Sequence, residues 1–146
     1  MSKTNATATA ARLRVVKPSD RIPDVCSGAM LREAAVSDKT VGSQKLWLGY
    51  VELGPGLVSA MHHHGEAESG IFIISGHARF FTGERLEQVH DAKAGDFVFV
   101  PPYVNHVEMN LRPDEPVRMV VARSTQENLT FNLPNPEGWD PEAARS

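Results

Sequence analysis

The chain has 146 residues, of which 41% are hydrophobic and 23% charged, with a formal net charge of −3. That balance fits one globular domain and leaves no basic footprint for nucleic acid. A single cysteine, Cys26, excludes an internal disulfide and fits a reducing, cytoplasmic setting. No apolar run approaches the roughly 18 residues of a membrane span, and the opening MSKTNATATAARLR lacks the apolar core of a secretory signal.

In chain order, residues 1–11 read as a disordered tail. Residues 13–17 (LRVVK) form a candidate short strand, stopped by Pro18-Ser19-Asp20. Pro23 and Gly28 mark an irregular stretch. Residues 30–36 (MLREAAV) fit either a strand or a helical turn, and 37–43 a loop. Residues 45–53 (KLWLGYVEL) carry the aromatic and β-branched residues of a strand. Gly54-Pro55-Gly56 then turns the chain into a second strand over 57–64 (LVSAMHHH). Residues 69–75 (SGIFIIS) and 77–82 (HARFFT) are strands separated by Gly76, and 85–90 (RLEQVH) pairs back as a hairpin. Short strands follow over 97–100, 106–110, 117–123 and 129–133, with Gly or Pro between them. Such spacing predicts an all-β sandwich or barrel of about eight to ten strands over residues 12–133. Residues 134–146, with Pro134, Pro136 and Pro141, read as an extended C-terminal tail.

The chemistry concentrates at His62-His63-His64-Gly65-Glu66-Ala67-Glu68. A strand alternates faces with period two, so His62 and His64 share one side and His63 takes the other. Two imidazoles on one side can hold one metal ion, and Glu68 can join them if the chain turns back. His77 and His90 fall in the predicted hairpin and read as surface residues.

Two spaced patterns bear on this stretch. Gly56, five residues, His62, one residue and His64 form the first. Gly95, five residues, Pro101, and later His106, three residues and Asn110 form the second. Together they resemble the paired motifs of the cupins, whose fold is a double-stranded β-helix, a jelly-roll-like barrel. Two positions depart from the motifs. Tyr103 stands where the second has glycine, and counting back from Gly76 puts the first motif's carboxylate at Ser69, one residue after Glu68. A β-bulge near Ser69-Gly70 would turn Glu68 inward.

The resemblance implies one divalent transition metal (Fe, Mn, Ni, Co or Zn) held by His62, His64, His106 and Glu68, or by the three histidines and water. It also implies a homodimer. Candidate substrate contacts are Phe72, Arg79, Phe81, Tyr103, Met109 and Arg118, with no catalytic residue identified. An inward arginine would point to an anionic substrate group. The activities implied are dioxygenation, or decarboxylation, isomerisation or lyase chemistry on a small organic molecule. A non-catalytic module that binds a small molecule or sugar is the alternative, because the fold alone does not choose.

Overall fold

The structure is a computed structural model that describes residues 11–24 and 30–146. The expected disordered tail falls almost entirely on residues outside these, as do Cys26 and Gly28. Among the described residues there are eleven strands: β1 (Ile22–Pro23), β2 (Met30–Val36), β3 (Trp47–Leu53), β4 (Met61–His63), β5 (Ser69–Ser75), β6 (His77–Thr82), β7 (Gln88–Lys93), β8 (Phe97–Val100), β9 (His106–Asn110), β10 (Val117–Arg123) and β11 (Phe131–Leu133). They form two antiparallel sheets, one in the order β1-β2-β3-β10-β5-β8 and the other β11-β4-β9-β6-β7. No described helix is long and apolar enough to cross a membrane.

Period-two alternation decides what each strand turns inward. On β3, Trp47, Gly49, Val51 and Leu53 are buried and the residues between them are half-exposed. Val51 and Leu53 meet Ile71 and Ile73 of β5, Val117 and Met119 of β10, and Ala78 and Phe80 of β6 in the main core. Each such aliphatic or aromatic side chain contributes about 1.5–3 kcal/mol when fully buried. Gly76 links β5 to β6 with φ +97, and a Cβ there would lie 2.8 Å from the Pro116 carbonyl oxygen. Only glycine meets both the left-handed backbone and that close approach.

In the second sheet β6 and β9 are covered on both faces, while β7 and β11 stay largely exposed. Its outer side carries Met61, Phe81, Leu86, Val107 and Met109, covered by Leu133, Trp139 and Ala144 from the C-terminal segment. Trp139 meets Phe81 edge-on at 5.3 Å between ring centroids. Arg79 donates to the carbonyls of Ala144 (3.0 Å) and Arg145 (3.2 Å), and Arg145 donates to the Asn110 carbonyl (3.1 Å) and to the Gly56 carbonyl. The C-terminal stretch is therefore a strap, which explains why all five residues of β9 are buried.

Several expectations are corrected. Residues 13–17 form no strand, and Leu13 and Val15 are exposed; β1 takes the sheet edge instead, pairing with β2 through Ile22↔Ala34 and Pro23↔Glu33. The ambiguous 30–36 stretch is a full strand because it finds β3 as a partner. The predicted strand over 57–64 shrinks to Met61–His63, with one isolated bridge at Val58↔Met109. The hairpin return starts at Gln88, since Leu86 takes φ +57 and belongs to the turn.

Asn110 is fully buried and ties the core end of β9 to its surroundings. Its amide nitrogen faces the carbonyls of Leu53 (3.1 Å), Gly54 (3.0 Å) and Glu115 (2.8 Å), while its oxygen accepts from the Arg112 N–H (2.8 Å). Removing it strands buried carbonyls and an N–H at once. Asn110→Ala is expected to cost about 3 kcal/mol, read as a lower midpoint in urea unfolding. Tyr103, where the motif has glycine, holds the left-handed conformation itself, with φ +61, and a side chain in that region is strained by about 1–3 kcal/mol. Because its side chain is largely exposed, Tyr103→Gly is expected to raise stability by about 1 kcal/mol after the entropy cost of glycine, measured as an increase in Tm.

Candidate metal centre

His62 and His106 are directly paired across β4 and β9. Both are buried, at 2% and 3% exposure, and their rings lie 4.3 Å apart. His64, just past the end of β4, brings its ring to 4.9 Å from His62 and 5.2 Å from His106. The three imidazoles offer ring nitrogens that lie within 4.8 Å of one another.

Each ring is held in one orientation by a main-chain carbonyl. His62 Nδ1 meets the Ala60 oxygen at 2.7 Å, His64 Nδ1 the Leu129 oxygen at 2.8 Å, and His106 Nδ1 the Val104 oxygen at 3.0 Å. A carbonyl accepts only, so each Nδ1 carries a proton, which leaves Nε2 as the nitrogen that a neutral ring offers to a metal. The Nε2 of His106 is buried with no hydrogen-bond partner among the described residues. Orphaned buried acceptors are uncommon. Three imidazoles, each oriented through its other nitrogen, are the donor set that divalent transition metals take. The residues present thus fit a metal ion.

The electrostatics support neutral rings at two positions. Burial pulls His62 below the usual histidine range, with the neighbouring His106 adding to the effect. Burial likewise pulls His64 down to about 4. For His106, burial opposes the charged form, but the Glu108 carboxylate outweighs it and raises the ring. Glu108 Oε1 stands 3.7 Å from His106 Nε2, too long for a hydrogen bond but close for a charge. Burial favours the neutral acid of Glu108, yet His106, His62 and Arg32 together hold it ionised.

The structure separates the other sequence candidates from this cluster. Glu68 is exposed and turned away. Its main-chain N–H donates to Ser124 Oγ (3.0 Å) and its carbonyl accepts from the Ser124 N–H (3.1 Å). The expected bulge is not at Ser69-Gly70, where β5 pairs regularly with β8 and β10. The register slips further along, opposite Arg118/Met119 of β10. Ser69 therefore faces inward and the carboxylate near the histidines is Glu108, two residues after His106 on the same face of β9. His63 points outward, stacked on Phe131 at 5.0 Å.

The six substrate candidates also lie elsewhere. Phe72 packs against Phe97 at 4.8 Å on the outer face of the first sheet. Arg118 is exposed on β10, and Tyr103 is exposed beside His63. Phe81 and Met109 are buried under the C-terminal strap, and Arg79 pairs with Asp91 at 2.6 Å on that side. Phe80 and Thr82, with the exposed His90 opposite Phe80 on β7, instead line a cleft of about 950 Å³ along the edge between β7 and β8 that reaches His106. A second, smaller cavity of about 30 Å³ is walled by Arg32, His64, Ser69, His106, Glu108 and Arg123.

The comparisons agree with this architecture. Residues 49–123 match the cupin domain, and the chain belongs to the cupin family. Among solved structures it is similar to an uncharacterised double-stranded β-helix protein from Klebsiella pneumoniae (TM-score 0.63, 21% identity, covering 83% of this chain and 97% of that one). It is also similar to the polyketide cyclase RemF of Streptomyces resistomycificus (TM-score 0.72, 17% identity, covering 92% and 98%). A third likeness is to the oxalate decarboxylase of Bacillus subtilis (TM-score 0.66, 21% identity), of which this chain spans about a third, 34% of that chain against 85% of this one. At these identities the likeness is one of fold. No curated protein sequence matches significantly.

Replacing His62, His64 or His106 by Ala is expected to lower metal content at least about tenfold in each case, as losing a ligand or its orienting partner does. Glu68→Ala should leave it unchanged. Elemental analysis of the purified variants reads both, and full metal content in His106→Ala would remove the site.

Proposed function

We propose that the protein is a metal-dependent enzyme acting on a small organic molecule, with one divalent transition metal held by His62, His64 and His106. The observation that carries the reading is the set of three carbonyl-oriented imidazoles with the orphaned, buried Nε2 of His106 among them. A closed structural site would more often use four protein ligands and cysteine, whereas three histidines leave positions open to a substrate. When bound, such an ion supplies Lewis-acid polarisation of a carbonyl or carboxylate, or a place for oxygen.

The chain's own residues do the rest. Nδ1–H bonds to Ala60, Leu129 and Val104 hold the rings in place. Glu108, ionised and buried beside His106, is placed to accept a proton from a substrate in the cavity it lines. Val98 and Val100 of β8, with Phe80 of β6, give the path to His106 apolar walls that limit water near the centre. The RemF cyclase and the oxalate decarboxylases, whose structures this chain resembles in fold, support an enzyme over a passive module.

The test is turnover with each of Fe(II), Mn(II), Co(II), Ni(II) and Zn(II), against diketones, phenols and keto acids. Oxygen uptake and carbon dioxide release are followed, with product NMR for isomerisation. We expect turnover with one metal and its loss, by about a hundredfold or more, in His62→Ala and Glu108→Gln. Tight ligand binding with no turnover under any metal would instead make the protein a binding module.

A further inference from the structure

The small interior cavity contains two guanidinium groups, and they are used very differently. Arg123 is fully engaged. Its Nε donates to the Thr125 carbonyl (3.0 Å), one Nη to the Gln126 carbonyl (2.9 Å), and the other lies 3.6 Å from Asp24. Its plane stacks 3.9 Å over Trp47. Arg32, on β2, donates Nη1 to the neutral amide oxygen of Asn128 (3.2 Å). Its Nε is buried and makes no hydrogen bond among the described residues. The edge formed by Nε and Nη2 is the fork that matches the two oxygens of a carboxylate, and on Arg32 it has no hydrogen-bonded anion among the described residues.

A buried Nε–H without a partner is costly, and Arg32 lines the same cavity as His64 and His106. We infer that Arg32 is the anion-binding residue of the site and that the substrate class is a short organic acid, its carboxylate gripped by Nε and Nη2. This rests on the metal-dependent reading of the same cavity. Cavity size sets the scale of the acid. About 30 Å³ is room for two or three waters, which takes a carboxylate and little more. Charge points the same way. Arg32 and Arg123 face Glu108 and Asp24, so a divalent ion leaves the interior two charges positive, and an anion brings it nearer neutrality.

The experiment titrates acetate into the full-length, metal-free protein, following the Arg32 Nε–H signal by NMR and the heat by calorimetry, with neutral acetamide as control. Acetate is expected to shift the Nε–H signal and acetamide to leave it still. Arg32→Met should weaken acetate binding about tenfold or more, and Arg32→Lys, which keeps the charge without the fork, should fall between. Metal content of both variants should equal that of the unaltered protein. Equal acetate affinity in Arg32→Met, or acetamide binding as well as acetate, overturns the inference. Should Arg32→Met fail to fold, an unmoved Nε–H signal in the unaltered protein overturns it alone. Failure of the unaltered protein to take up any metal defeats the enzyme reading and leaves the acetate result to stand or fall by itself.

Discussion

The arrangement of the whole site depends on one pairing, His62 opposite His106 across β4 and β9. Directly opposed residues on antiparallel strands stand about 4.5–5.5 Å apart and point to the same side. Two imidazoles therefore converge by backbone geometry before any side chain is adjusted. The same geometry makes the site fragile, since a slip of one residue would send both rings to the other face. What prevents a slip lies on that other face. Met61, Val107 and Met109 are clamped there by Leu133, Trp139 and Ala144. Ser59 adds a polar lock, its N–H donating to the Glu108 carbonyl (2.8 Å) and its Oγ accepting from the Glu108 N–H (2.9 Å). The C-terminal strap, far from the chemistry in sequence, is thus part of what sets the register of the histidines.

The carbonyl partners extend this preorganisation from position to protonation state. None of the three carbonyls belongs to a regular strand. Ala60 and Val104 precede β4 and β9, and Leu129 precedes β11. Each has an oxygen free of ladder hydrogen bonding and so able to take an imidazole N–H. For His62 and His106 the donor and acceptor are two residues apart in the chain, so the strand start itself fixes the tautomer. His64 relies on a contact 65 residues away, which ties the first half of the chain to its end. Its position outside the strand is possible only because the long-range bond replaces the ladder.

Much of this was legible in the sequence. The spacing Gly56–His62–His64 and Gly95–Pro101–His106–Asn110 led to the cupin fold and to the three histidines that the structure brings together. What failed was the assignment of faces. Arg79, Phe81, Phe72 and Arg118 each sit one residue away from an inward position, since Ala78 and Phe80, Ile71 and Ile73, and Val117 and Met119 are the ones buried in the main core. Both faces of β6 and β9 are covered, so Phe80 and Phe81 stand side by side with both buried, and the clean apolar/polar alternation that would reveal parity is lost. Parity could still be counted from His106. Glu108 and Asn110 follow at steps of two, which makes Glu108 the inward carboxylate. Arg32 was hidden differently, in a stretch whose strand character depends on pairing with β3.

The displaced carboxylate and the free arginine edge have a common origin. Ser69 occupies the place where the first cupin motif puts a glutamate, and it lines the same cavity as Arg32 and Arg123. A glutamate there would reach into that cavity of about 30 Å³, where the motif's carboxylate is expected to join the three histidines. With serine, the wall loses both volume and charge, the cavity stays open, and Arg32 keeps its fork unpaired. The carboxylate that remains, Glu108 on β9, stands 3.7 Å from His106 Nε2 and is held ionised by His106, His62 and Arg32. With serine on β5 and the acid on β9, the interior differs from a four-ligand site in being a cavity with a carboxylate on one wall and the Arg32 guanidinium on another. For a short acid that difference separates a metal site that only holds its ion from one that also orients a substrate.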